Sequence, residues 1–451
     1  MNAMKQTDKS VDMLHGPLTG KLILFALPIA LSSMLQQLFN AADTSVVGHF
    51  ADANALAAVG TNGEIVALLV SLSAGFAVGA NVLIARFIGE ERTSRIPDAL
   101  HTSIVFALLF GILGAIAGQF IARPLLSSIK TPAEILSSAV TYLRIYFLGY
   151  PFLMLYDFGS AILRAKGDSR RPFAALTISG VINVILNLFF VIVCRLDVAG
   201  VAISTVISTG ISAGMVIFRL AKEPSVFRFS LRKLCIKKDC LHSVLTIGIP
   251  SAIQGAVFCF ANIFVQASVN SFGAIATAGS TIAMNFEYFG YYMITAFGQA
   301  ATTFTSQNFA AGQKKRCLHI LYICLLCSVL FSAAITVPLT IWRVPFSTLF
   351  SAEQAVISAA CVRILLILVF EPMCGFYEIP AGVLRGMGHS TLPAILTVIG
   401  TCVLRIVWIF TVFKHFHTLE SLFIVFPISW VVTILLVLTG FFCNRRLFTR
   451  T

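Results

Sequence analysis

Twelve apolar runs, each of roughly 20 residues or more, follow one another through this chain and decide what it can fold into. They fall near 21–48, 55–84, 98–121, 135–163, 172–194, 199–219, 241–270, 275–309, 317–341, 354–384, 393–413 and 421–443. Runs of that length match the hydrocarbon thickness of a bilayer. Inside lipid every backbone N–H and C=O needs an internal partner, so such runs become helices. The expected fold is an all-α integral membrane protein. Composition agrees, because only 11% of residues are charged, against roughly 25% in a soluble domain. No polar stretch is long enough for a separate soluble domain. Met1–Gly20 is polar and lacks a short apolar core, so no cleavable signal peptide is expected and the first span itself should direct insertion.

The net charge of +13 would suit a nucleic-acid binder, but the positions of the charges exclude that reading. Arg123, Lys130, Arg195, Arg343 and Lys414 fall on one side of the hydropathy map, and Arg144, Arg363 and Arg405 fall inside spans. The other 24 of the 32 Lys and Arg fall on the opposite side. By the positive-inside rule that side is cytoplasmic, with both termini and the basic Lys222–Asp239 connection.

The chain also repeats. Leu163-Arg-Ala-Lys-Gly-Asp-Ser-Arg-Arg-Pro172 matches Leu384-Arg-Gly-Met-Gly-His-Ser-Thr-Leu-Pro393 at an offset of 221. Pro151 meets Pro372 and Asp157 meets Glu378 in the same register, and Pro28 meets Pro250 at 222. Each half holds six spans, an even number, so the halves are parallel repeats. The expected division is 1–221, a linker at 222–240, and 241–451. Substrate sites in such repeats lie near the bilayer midplane.

Six carboxylates fall within spans: Asp43, Glu64, Asp157, Glu287, Glu371 and Glu378. A charge at the bilayer centre costs at least about 2.5 kcal/mol, so each should face a wet cavity, pair with a cation or carry a proton. Asp43 lies late in the first span and is a candidate proton or cation site, with solvation at the helix end as the plain alternative. Asn183 and Asn187 share one face of the fifth span, and two amides there need a partner helix or a ligand. Thr205 on the sixth span could join them. Glu287, followed by Tyr288 and Tyr291, suits an organic cation through charge pairing and cation–π contact, or else an aromatic interfacial belt. Gln37 is a further expected cavity residue. Asp157 and Glu378 each precede an arginine, Arg164 and Arg385, by seven residues and could pair with it as an inner gate, with simple solvation near the cytoplasm as the plain alternative. Gly75 and Gly79 form a GxxxG pair that should admit a close helix contact. Cys324-Leu-Leu-Cys327 sits mid-span and reads as packing, not metal. There is no nucleotide-binding loop, no HExxH and no nucleophile–base set. Any pumping must therefore use an ion gradient.

Several of these residues together resemble the multidrug and toxin extrusion (MATE) transporters. They are Asp43-Thr-Ser-Val-Val-Gly48 after the Pro28-containing span, the twin Leu163-Arg164…Gly167 and Leu384-Arg385…Gly388 motifs, and Asn183-Val-Ile-Leu-Asn187. The resemblance implies a V-shaped pair of six-helix lobes. It implies a monomeric antiporter of the bacterial inner membrane that exports amphipathic or cationic small molecules in exchange for H⁺ or Na⁺, with no cofactor. Carried over residue by residue, the family's N-lobe ion cluster becomes Asp43, Asn183, Asn187 and Thr205. Asn187 stands where an acid is usual. The acids of the sodium-coupled branch's C-lobe site would fall on Phe258 and Cys374, so that site is not expected here unless Glu371 or Glu378 substitutes. Two rivals remain. One is a lipid-linked oligosaccharide flippase, which would need a strongly cationic cavity. The other is an integral membrane enzyme, which would need a catalytic set at one membrane face.

Overall fold

The computed structural model describes residues 10–50, 53–129, 131–224 and 226–443. Lys130 and both chain ends, including Lys5, Lys9, Arg445, Arg446 and Arg450, lie outside the described residues. The first repeat runs α1 (Leu18–Phe50), α2 (Ala53–Gly89), α3 (Ile96–Ser128), α4 (Ala133–Leu148), α5 (Tyr150–Lys166), α6 (Arg170–Leu188) and α7 (Asp197–Ala221). The second opens with α8 (Lys238–Asn270), α9 (Ala274–Ala310), α10 (Lys314–Ile341) and the short α11 (Arg343–Thr348). It continues through α12 (Gln354–Arg363), α13 (Gly375–Gly386), α14 (Thr391–Thr397), α15 (Leu404–Phe410), α16 (Val412–His415), α17 (Leu419–Phe423) and α18 (Val425–Cys443). The described residues contain no strand.

Ten helical stretches are individually long and apolar enough to cross a bilayer, and α4 with α5 makes an eleventh as a bent pair. The twelfth expected span is α9. It has 37 residues, but its polar load, Asn285, Glu287, Gln299, Gln307 and Asn308 among it, keeps it from qualifying on apolarity. The fourth span is therefore not the continuous helix expected over 135–163. It bends by 44° between Leu148 and Tyr150. Pro151 explains the bend, because its ring supplies no N–H to continue the ladder and crowds the preceding turn. The tenth span is interrupted as well, by a π-helix at Ile364–Leu368 and a 3₁₀ turn at Glu371–Cys374 that contains Pro372.

The twin motif has a local structural meaning. Gly167 and Gly388 adopt φ of +104° and +91°, a left-handed conformation that glycine takes at no steric cost. The following N–H closes back five residues, Asp168 to Leu163 and His389 to Leu384, each at 2.9 Å. Both motifs are thus Schellman caps that end one helix and aim the next. In the first copy Asp168 goes on to accept from the Arg170 and Arg171 amides, which starts α6.

The chain forms two compact units, and their boundary is not the expected linker. One unit contains Leu31–Ala252; the other contains Asp12–Ala30 and the chain from Ile253 onward. Each repeat's first helix therefore changes unit just after its proline, Pro28 or Pro250. In the first unit Gly75 and Gly79 admit the start of α8: a Cβ on Gly75 would lie 2.4 Å from Ala252 Cα. In the second, Phe25 packs edge-on against Phe304 at 5.4 Å, and Asn308 donates to the Met13 carbonyl. The linker folds onto the first unit. Phe227 and Phe229 are buried, and Phe229 stacks on His101. The His101 ring bridges Pro97 O on one nitrogen and accepts from the Ser230 amide on the other. Buried Glu223 pairs with Lys166 and Arg171. Cys324 and Cys327 are buried free thiols on α10.

Candidate functional site

In the first unit, α1, α6 and α7 bring Asp43, Asn183, Asn187 and Thr205 together. Gly180 sets the helix register. A Cβ there would lie 1.8 Å from the Phe39 ring, so only a bare backbone lets α1 lie so close to α6. One turn beyond Phe39, Asp43 then reaches Asn187, two turns beyond Gly180. The Asn187 Nδ2 donates to Asp43 Oδ1 and lies 3.4 Å from Asn183 Oδ1. The Thr205 hydroxyl, which donates to the Val201 carbonyl at 3.0 Å, lies beside the Asp43 carboxylate. A cavity of about 10 Å³, the size of a single water, borders Thr205 and is lined also by Tyr146 and Thr209.

Asn183 and Asn187 are buried, and Asp43 is half-buried. Among the described residues Asn187 Oδ1 has no hydrogen-bonding partner, which leaves a buried acceptor in reserve beside the carboxylate. Immediately after Asn187, α6 passes into a π-helix at Phe189–Val193. Such irregular turns often mark functional positions. Sequence reasoning missed this turn, since the apolar run Leu188–Val193 reads as ordinary helix.

Breaking the Phe39–Gly180 contact tests the register. Gly180→Val is expected to push α1 off α6 and to lower the thermal unfolding temperature in detergent. Adding Phe39→Ala should restore part of it. An unchanged unfolding temperature in Gly180→Val would show that the Phe39–Gly180 contact does not hold the two helices together.

The second unit holds a different constellation. Arg363 makes a two-pronged ion pair with Glu287, through Nε to Oε1 at 2.6 Å and Nη2 to Oε2 at 2.8 Å. Its Nη1 donates to Ser280 Oγ at 2.5 Å, and its guanidinium lies 5.2 Å from the centre of the Phe423 ring. Glu287 therefore does not offer the free negative charge expected for an organic cation. The partner lies 76 residues away on a helix whose pairing no local pattern reveals. Glu371 is buried nearby and feels both Glu287 and Arg363, while its Oε2 has no hydrogen-bonding partner among the described residues. Arg363 directly precedes the π-helix of the tenth span and Glu371 opens its 3₁₀ turn.

The other expected residues scatter. Tyr288 stacks with Tyr292 at 5.9 Å, whereas Tyr291 has Glu378, Cys374, Arg385 and Arg405 as its electrostatic neighbours. Gln37 is half-buried on α1. The expected gate pairs differ between repeats. Arg385 bonds Glu378 at 2.5 Å, while Asp157 feels Arg164 without a direct ion pair among the described residues and faces Ser73. Glu64 is exposed on α2.

Across both repeats the chain is similar to known transporters. The MatE family profile matches residues 28–189 and 250–411, one match per repeat. A probable multidrug resistance protein of Bacillus subtilis, YoeA, is 26% identical over 92% of this chain and 91% of its own length. The probable multidrug resistance protein NorM of Thermotoga maritima is 26% identical over 88% of this chain and 86% of its own. A solved MOP superfamily transporter from Pyrococcus furiosus shares the fold at a TM-score of 0.91 and 21% identity, covering 99% of this chain and 100% of that one. Each repeat carries the family profile, and the chain belongs to the MATE family of secondary transporters.

Proposed function

We propose that the chain exports amphipathic, often cationic compounds across the inner membrane in exchange for H⁺, and that Asp43 is the exchange site. The observation that carries this reading is the Asp43–Asn187 hydrogen bond, set beside Asn183 and Thr205, with no second carboxylate bonded into the group among the described residues. Burial makes an ionised carboxylate costly, so a proton is a natural occupant. An amide and a hydroxyl can serve either form without adding charge. Asn187 Nδ2 donates to the carboxylate, and the spare Asn187 Oδ1 can accept from the protonated form after the amide turns over. A proton taken from outside and released inside then drives substrate outward.

Sodium is a second reading, favoured by that same spare oxygen, since Na⁺ is held by several oxygen ligands. Dye efflux from proteoliposomes under separately imposed gradients separates the two. Efflux following a pH gradient and indifferent to sodium is the expected result; efflux following sodium alone would replace the ion and keep the site.

The flippase alternative needs a cationic cavity, and the three span arginines are engaged within the protein. Arg363 holds Glu287, Arg405 donates to Ser429 and packs on Phe426, and Arg144 donates to the Gln119 carbonyl.

The proposed orientation places the linker and both termini in the cytoplasm, because Lys and Arg concentrate on that side. An alkaline phosphatase fusion after Lys233 should be inactive and a fluorescent-protein fusion bright. The opposite pattern would invert the map.

A further inference from the structure

Between α3, α7 and the linker lies an apolar groove of about 610 Å³, separate from the Asp43 cluster. Leu108 and Leu109 of α3 and Ile217 of α7 line it together with Leu231, Leu234 and Ile236 of the linker. Leu231 is 74% exposed, and Leu109, Leu234 and Ile236 are exposed as well. Its volume is in the range of small-molecule sites. An open apolar surface of this kind marks a place where a partner or a membrane makes contact.

The same stretch carries cations. Along Leu231-Arg-Lys-Leu-Cys-Ile-Lys-Lys238, groove-lining apolar residues interleave with exposed basic ones. The two acids of the linker region are already engaged, Glu223 by Lys166 and Arg171, and Asp239 by Arg95. Arg228, Arg232, Lys233, Lys237 and Lys238 are exposed with no carboxylate partner among the described residues. An apolar seat beside a cluster of unpaired cations is the pattern of a segment lying in a lipid interface.

We propose that this groove binds an anionic phospholipid, with one acyl chain against the α3 and linker leucines and the phosphate among the linker's guanidinium and ammonium groups. The charges choose the headgroup, because surface cations attract anionic lipid within about a Debye length. The groove chooses a lipid over a soluble phosphate, which brings no chain to bury. Only the position of the linker at a membrane surface is required, so the inference is independent of the coupling ion and of the direction of transport.

Native mass spectrometry of the full-length protein tests it, titrating detergent-solubilised protein with dioleoyl phosphatidylglycerol or dioleoyl phosphatidylcholine. The wild type should retain one phosphatidylglycerol at least about fivefold more tightly than phosphatidylcholine. The exposed triple variant Arg232→Gln/Lys233→Gln/Lys237→Gln should lose that preference. Leu109→Trp, which narrows the groove and leaves the charges, should weaken phosphatidylglycerol binding. Equal retention of both lipids by the wild type would overturn the proposal. So would tight phosphatidylglycerol binding by Leu109→Trp, since attraction would then be charge at the surface alone. Displacement of the lipid by ethidium would make the groove a substrate site and would overturn it too.

Discussion

Asp43→Asn is expected to abolish gradient-driven efflux and to leave the protein folded. The amide has the shape of the carboxylate, and its oxygen can still accept from Asn187 Nδ2. One neutral hydrogen bond replaces a charge-assisted one, a change of about 1 kcal/mol. The exchangeable proton is lost entirely, because an amide does not titrate. Uphill transport in liposomes should therefore fall to the background of empty vesicles, while expression and thermal unfolding stay near wild type. Asn187→Ala should do less. It removes the donor to Asp43 but keeps the titrating group, so coupling should weaken without vanishing. Uphill efflux at the wild-type rate in Asp43→Asn would remove Asp43 from the mechanism.

The second large effect is on stability. Arg363→Ala removes three short hydrogen bonds, two to Glu287 and one to Ser280. It leaves Glu287 without its cation and takes away the positive charge nearest to the buried Glu371. Breaking one side of a buried ion pair costs about 3–5 kcal/mol, because the remaining charge is stranded. Removing both sides costs far less. Thermal unfolding in detergent should show a large loss for Arg363→Ala and recovery of most of it in Arg363→Gln/Glu287→Gln. A single variant as stable as wild type would mean that water or lipid headgroups already satisfy Glu287.

The parts of this molecule that were legible in the sequence are those whose signal is local. A span announces itself by length and apolarity, and the paired amides of α6 by their spacing of four. The twin Schellman caps show as a repeated Leu-Arg with glycine four residues after the leucine, because a left-handed turn leaves few choices of residue. The Glu287–Arg363 pair was out of reach, since each residue looks like an isolated charge until α9 and α12 pack. Likewise the linker reads as a free basic connection. Only the fold shows that Phe227 and Phe229 are buried and that Glu223 is locked to Lys166 and Arg171. The bend between α4 and α5 was within reach, because Gly149 and Pro151 stand two residues apart inside an apolar run. Unit boundaries inside α1 and α8 carried no comparable mark: a proline in a span kinks it and says nothing of which neighbours its two halves choose.

Proton release on substrate binding tests the exchange site most directly. Purified protein in weakly buffered detergent is mixed with a transported cation such as ethidium, and a pH indicator reads the released protons. Wild type should release about one proton per bound cation, as expected of one titrating carboxylate exchanging its proton for substrate. Asp43→Asn should bind ethidium and release none. Equal proton release from Asp43→Asn and wild type would contradict the account, because the exchanged proton would then reside on another group.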